Sequence, residues 1–456
     1  MKKKQQELNL TSGPILQTLA RLALPIMASS FLGTAYNITD MVWIGTLGSK
    51  AVAGVGVGGM YVWLSQGLVA LARMGGQVNV AQCLGRGDKK EASSFSTAAL
   101  QLTILFALLF STVCLVFTKP LLGFFHLTDA QTYEYARVYT LITCGLIIFS
   151  YLTLTLTGLY TAQGDSKTPL LANLFGLLTN MVMDPLLILG IGPLPRLEVM
   201  GAAIATVSAQ FLVFLILALN IRRTPAEKKV ITGAGLFRPL PGAFYRKIFQ
   251  IGAPSALQNS LYCMISMLLT RMVSSFGPGA IATQRVGGQI ESISWNTAEG
   301  FGTALNAFMG QNYGAKKTDR IQKGYQAAFR LMAVWGVLVT AVFVLLPEPI
   351  SRLFFHEEDV IQIAVNYLII LGFGEAFMII ELMTVGALSG LGKTTLCSLI
   401  SILLTGARIP LALLLSHFGM GLSGVWWALT ISSIAKGVVF YITFQRISRR
   451  LDRAWK

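Results

Sequence analysis

The chain has 456 residues, of which 54% are hydrophobic and only 12% charged, and its mean hydropathy is +0.64. These values exclude an ordinary soluble domain and indicate an integral membrane protein. Lys and Arg number 36 against 20 Asp and Glu, a net charge of +16, so a phosphate-bearing partner has to be weighed against the placement of those cations.

Apolar runs of about 20 residues recur without ten-residue alternation, which predicts helices rather than barrel strands. Twelve spans are expected, roughly at 14–44, 52–82, 92–118, 132–162, 167–191, 199–222, 244–275, 280–311, 321–346, 359–389, 394–416 and 422–446. The 45 glycines suit membrane helices, where small residues let backbones approach. Met1-Lys2-Lys3-Lys4 precedes an apolar run too long for a signal-peptide core, with no small-residue cleavage site, so a retained tail is expected.

Alternate loops differ in charge. One set holds Lys2, Lys3, Lys4, Arg86, Lys89, Lys90, Lys167, the basic residues of 222–247, Lys316, Lys317, Arg320, Lys323, Lys393 and the C-terminal arginines with Lys456; the other holds only Lys50, Lys119, Arg196 and Arg352. The positive-inside rule then places both termini and the 223–243 linker in the cytosol, as for a multi-pass protein of the cytoplasmic (inner) membrane. The basic excess is a topology signal, and no nucleic-acid partner is expected. Membrane lipids and a small-molecule substrate are, with the chain as a monomer.

The sequence also repeats. An offset of 229 carries Pro25 to Pro254, Gly48 to Gly277, Ala51 to Ala280, Gly58-Gly59 to Gly287-Gly288, Gln82 to Gln311 and Gly85 to Gly314; farther on, an offset of 228 carries Gly158 to Gly386, Gly164 to Gly392 and Asn180 to Arg408. Each repeat holds six spans, an even number, so the halves run in the same direction. The expected fold is all-α: two six-helix bundles around a central cleft, an N-terminal one over 1–222, the 223–243 linker, and a C-terminal one over 244–456.

Few ionisable groups lie at membrane depth, where a carboxylate costs about 2.5 kcal/mol or more and faces a bundle interior or an aqueous cavity. In the first half these are Asp40 on helix 1 and Asp184 on helix 5, with Asn180 one turn from Asp184, Tyr139 on helix 4 and Thr206 on helix 6. At about 1.5 Å per residue, Asp184 falls about 24 Å outward from Pro169, Asp40 roughly 27 Å outward from the start of helix 1, and Tyr139 and Thr206 about 9 Å from their outer ends. All therefore belong to the outer part of the membrane. Two carboxylates brought together there titrate as one unit, a proton site, and with Asn180 and Thr206 they also form an oxygen set suited to sodium. Taken alone, Tyr139 reads more readily as a packing aromatic. Pro25 removes a helical hydrogen bond and marks where helix 1 would bend.

The second half lacks these acids, since Asp40 maps onto Leu269 and Asn180 onto Arg408. It carries Arg271, Arg285, Glu291, Glu299, Glu375, Glu381, Arg408 and Lys436 instead, for which mutual pairing is the simpler expectation. Glu299 and Glu381, with Tyr36 and Asn37 on helix 1, are the candidates for contact with substrate. Gly386 to Thr394 imitates a phosphate loop but has five residues between its outer glycines where four are required. The three histidines have no metal-ligand spacing, the five cysteines no paired spacing, and no nucleophile constellation appears, so neither an enzyme nor a cofactor is expected.

Several stretches together resemble the multidrug and toxic compound extrusion (MATE) transporters, and their DinF-like branch in particular. They are Pro25 with Asp40-Met-Val-Trp-Ile-Gly-Thr-Leu-Gly48, Gln82-Cys-Leu-Gly85, Gln163-Gly-Asp-Ser-Lys-Thr-Pro169, Asn180 with Asp184-Pro185, Gly201-Ala-Ala-Ile-Ala-Thr206, Gly392-Lys393 and Arg408-Ile-Pro410. The resemblance spans essentially the whole chain. It implies export of organic cations and amphipathic drugs in exchange for protons or sodium, with Asp40 as coupling acid and Asn180, Asp184 and Thr206 beside it. The second half has no acid pair placed like that of sodium-coupled relatives, which favours protons. The alternatives are sodium antiport at the same site, or a lipid-linked precursor flippase, for which Arg73 and Arg137 would supply the basic charge.

Overall fold

The computed structural model describes residues 9–125, 129–190, 195–225, 230–231 and 235–455. The predicted cytosolic residues Lys2, Lys3, Lys4, Lys228, Lys229 and Lys456, and His126, lie outside the described residues. The first half comprises α1 (Ile15–Gly45), α2 (Ser49–Gly85), α3 (Lys89–Val116), a short α4 (Thr118–Gly123), α5 (Ala130–Gly145), α6 (Ile148–Ala162), α7 (Lys167–Ile188) and α8 (Glu198–Arg223). The second comprises α9 (Gly242–Ser274), α10 (Pro278–Gly314), α11 (Thr318–Leu345), a short α12 (Pro347–Phe354), α13 (Glu358–Gly390), α14 (Thr394–Gly406), α15 (Arg408–Leu415) and α16 (Gly421–Trp455). No strand occurs among the described residues.

Where one span was expected over 132–162, α5 and α6 meet at a 47° bend. The bend leaves the Gly145 carbonyl to accept from Ser111 Oγ at 2.9 Å. Likewise α14 gives way to α15 at Ala407, and a π turn at Ser416–Met420 precedes α16. With each interrupted pair taken as one span, the long helices form the twelve spans of the expected fold. α9 and α10 are long enough to cross a membrane but fall short of the apolarity of the others, because Gln250, Gln258 and Asn259 lie within α9, and Arg285, Glu291 and Glu299 within α10.

The repeat is conformational as well as sequential. Gly48 and Gly277 precede α2 and α10 with φ of 98° and 103° and the same ψ of 174°, a region that side-chain-bearing residues avoid. Thr340, the counterpart of Ser111, donates from its Oγ1 to the Gly372 carbonyl at 2.9 Å.

The chain divides into two compact units, but not at the boundaries expected from sequence. One holds Ala28–Ala256 and the other Asn9–Met27 with Leu257–Lys456. The divisions thus fall inside α1 and α9, two residues past Pro25 and Pro254. In the second unit, Lys317 Nζ donates to the Thr11 carbonyl at 2.7 Å, Asn312 Nδ2 to that of Leu10 at 3.0 Å, and Arg320 to those of Gly13, Leu10 and Ser12 at 2.8, 3.2 and 3.1 Å. In the first unit, parts of the expected linker pack against the helices. Val230 and Ile231 are buried in the core of α2, α3, α6 and α8, and Gln101 Nε2 donates to the carbonyls of Leu236 and Arg238 at 2.7 and 3.0 Å.

Candidate functional site

Four helices of the first unit carry the polar residues expected to converge, and they do converge. α1 supplies Tyr36 and Asp40, one turn apart; α5 supplies Tyr139, α7 the one-turn pair Asn180 and Asp184, and α8 Thr206. Asn180 and Asp184 are fully buried, and Asp40 is 8% exposed. Asn180 Nδ2 donates to Asp184 Oδ1 at 3.0 Å. Asp40 and Asp184 lie within range of each other's charge and of the Tyr36 and Tyr139 hydroxyls, both of which turn toward Thr206.

The site is rich in oxygen, with hydroxyl and amide donors but no ion-paired cation among the described residues. Tyr36 Oη, Asp40 Oδ1, Asn180 Oδ1, Asp184 Oδ2 and Thr206 Oγ1 are all buried without a partner at hydrogen-bond geometry. Neither acid has an ion-pair partner among the described residues. Around them Ile44, Ala51, Val55, Ile188, Val199, Ala202 and Ala203 form an apolar collar, into which the Tyr139 ring packs. Gly58 makes that possible, since a methyl group there would overlap the Tyr139 ring. Tyr139 is therefore both packing aromatic and site residue. Two carboxylates and three neutral oxygens buried together favour a positive charge beside them, as a proton, a sodium ion or a cationic group.

Other assignments shift. Tyr36 lies in the acid site with Asp40, whereas Asn37 is exposed. Its place one turn from Asp40 was the signal available in sequence. Pro25 lies within α1, which is continuous from Ile15 to Gly45. Glu381 is not free for substrate, because Lys436 Nζ lies 2.9 Å from its Oε1, with 5% and 7% of the two side chains exposed. Glu299 is exposed and accepts from Trp295 Nε1 at 3.2 Å.

The general pairing expected of the second-half charges holds only for Glu381 and Lys436. Arg271 and Arg285 are exposed, Glu375 meets Ser294 Oγ at 2.5 Å, and Arg408 bonds to hydroxyls. Among the described residues no group of three or more His, Cys, Asp or Glu could hold a metal, and all five cysteines are free.

With this geometry in view, the chain is similar to known transporters along its whole length. The MatE family profile matches twice, over residues 25–186 and 254–414, so the two matches start and end at the repeat offsets. A probable multidrug resistance protein NorM from Thermotoga maritima is 26% identical over 90% of this chain and 88% of its own. An FAD transporter from Shewanella oneidensis is 25% identical over 96% of each chain. Among solved structures, a MATE crystal structure in the bent conformation superposes with a TM-score of 0.91 at 20% identity, covering 99% of this chain and 100% of the other. With two profile matches that together take in most of its length, the chain belongs to the MatE family of multi-pass membrane transporters.

Proposed function

We propose that this transporter is a multidrug exporter that moves cationic and amphipathic compounds out of the cell in exchange for protons, coupled through Asp40 and Asp184. The observation that carries the reading is the pair of buried carboxylates lying together with no ion-pair partner among the described residues. Its relatives differ in what their names carry, multidrug resistance in one and FAD in another, and the charge of the site favours a cation. An unneutralised acid pair attracts a cation. A proton arriving from outside cancels that attraction and the drug leaves; when the site faces the cytosol the proton departs and the attraction returns. One charge crossing 100 mV supplies about 2.3 kcal/mol, before any pH gradient is added.

The loop charges support an inner-membrane protein with cytosolic termini. Pro25, where α1 passes from one compact unit to the other, is the place for a bend that alters the pocket. The five unpartnered oxygens also suit sodium, which prefers neutral and anionic oxygen ligands. In everted vesicles at fixed sodium, an imposed pH gradient is expected to drive accumulation of a lipophilic cationic dye by the wild type, and Asp40→Asn and Asp184→Asn to abolish it. Accumulation driven by a sodium gradient alone, indifferent to pH, would replace the proton by sodium. Unaltered pH-driven transport in Asp40→Asn would remove the acid pair from the mechanism.

A further inference from the structure

The second repeat keeps the framework of the acid site and inverts its charge. By the same offsets, Asp40 corresponds to Leu269, Tyr139 to Tyr367, Asn180 to Arg408 and Asp184 to Ala412. Both acids are replaced by apolar residues and the amide by a guanidinium. The scaffold is retained, as Gly287, the counterpart of Gly58, lies against the Tyr367 ring with no room for a methyl group. Leu269 and Ala412 sit in an apolar cluster with Val273 and Ala280, the counterparts of Ile44 and Ala51.

In the second repeat an open pocket of about 200 Å³ is lined by Leu269, the counterpart of Asp40, and by Tyr262, Trp295, Tyr367 and Arg408. Arg408 is 6% exposed. Its Nε donates to Ser432 Oγ at 3.1 Å and its Nη2 to Ser433 Oγ at 3.2 Å. Among the described residues no carboxylate lies within 4.0 Å of it, for the ion pair in this region joins Lys436 to Glu381. A buried guanidinium bonded to neutral hydroxyls keeps its charge and several N–H donors in want of an anion. Tyr262 and Trp295 stand 5.7 Å apart, centroid to centroid, as aromatic walls.

We propose that this cavity binds the carboxylate of an aromatic organic anion, the oxyanion on Arg408 and the ring between Tyr262, Trp295 and Tyr367. The groups facing it set the charge balance. Glu291, Glu375 and Lys436 line the same cavity as Arg408. With Lys436 paired to Glu381 and Glu375 bonded to Ser294 Oγ, Glu291 is the carboxylate left to balance Arg408. An entering carboxylate therefore brings a proton with it, held on Glu291. Binding here is accompanied by proton uptake, the reverse of the exchange proposed for the acid pair.

The test uses full-length protein in detergent and 2-naphthoate, titrated by calorimetry from pH 6 to pH 8, with 1-naphthylmethylamine as the cationic counterpart. The wild type is expected to bind naphthoate more tightly at pH 6 than at pH 8, with proton uptake. Arg408→Gln should weaken it at least ten-fold and Arg408→Lys less. Glu291→Gln, which needs no proton, should bind as tightly at pH 8 as at pH 6. The proposal is overturned if Arg408→Gln binds naphthoate like the wild type, if Glu291→Gln keeps the wild-type pH dependence, or if binding releases protons. Should Arg408→Gln fail to fold, the Glu291→Gln profile decides by itself.

Discussion

Replacing Lys436 by Met isolates the buried ion pair of the second unit. Lys436 and Glu381 are 2.9 Å apart with 5% and 7% of their side chains exposed, so water cannot take over the carboxylate when its partner is removed. Leaving one member of such a pair buried and alone costs about 3–5 kcal/mol. Arg408 lies near enough to repel Lys436, and losing that repulsion puts the expected cost at the lower end, about 3 kcal/mol on the same scale. The double variant Lys436→Met/Glu381→Leu removes both charges and should return to within about 1 kcal/mol of the wild type or exceed it. The assay is unfolding by SDS titration in mixed micelles, read by tryptophan fluorescence at low salt and at 1 M salt. Salt should not close the gap between single variant and wild type, because a buried pair is poorly screened. A single variant as stable as the wild type, or a double variant no better than the single, would refute the reasoning.

Gly58→Val should displace the Tyr139 ring, cost about 1–3 kcal/mol as overpacking does, and lower dye export more than protein yield, as measured by vesicle transport normalised to purified protein. Lys50 Nζ at 2.8 Å, together with the backbone N–H and hydroxyl of Thr132 at 2.8 and 2.9 Å, holds Asp129 down at about 2. A carboxyl lowered on folding stabilises above its ordinary range and loses that contribution as pH falls toward 2. The difference in thermal midpoint between wild type and Asp129→Asn should therefore be constant above about pH 4 and narrow below it. Arg320→Ala removes three bonds to the carbonyls of residues 10, 12 and 13, and limited proteolysis should cut before α1 sooner than in the wild type.

The sequence was most legible where a polar group stood alone in an apolar run. Asp40 and the one-turn spacing of Asn180 and Asp184 pointed to groups that the fold brings together, the apolar runs anticipated the twelve spans, and the 229-residue offset paired Gly48 with Gly277, which share a backbone conformation. Harder to see were facts that depend on which side chains meet across the fold. Lys317 and Arg320 read as topology charges, yet they hold backbone carbonyls near the start of the chain, and that contact moves the unit boundary into α1. The bend at Leu146 escaped notice because no proline or glycine pair announces it; the released carbonyl is satisfied by Ser111, a residue 34 positions away. The second-half charges looked alike in sequence, but only distance separates the Glu381–Lys436 pair from Arg408, which faces a cavity.

The central claim is that drug and proton compete for the Asp40–Asp184 pocket. The most direct measurement is proton exchange by purified protein in weakly buffered detergent when a lipophilic cationic dye is added, comparing wild type with Asp40→Asn and Asp184→Asn. The account predicts proton release by the wild type that disappears in Asp40→Asn and is reduced or lost in Asp184→Asn. Dye binding without proton release, but dependent on sodium, would contradict it and make the same five oxygens a sodium site.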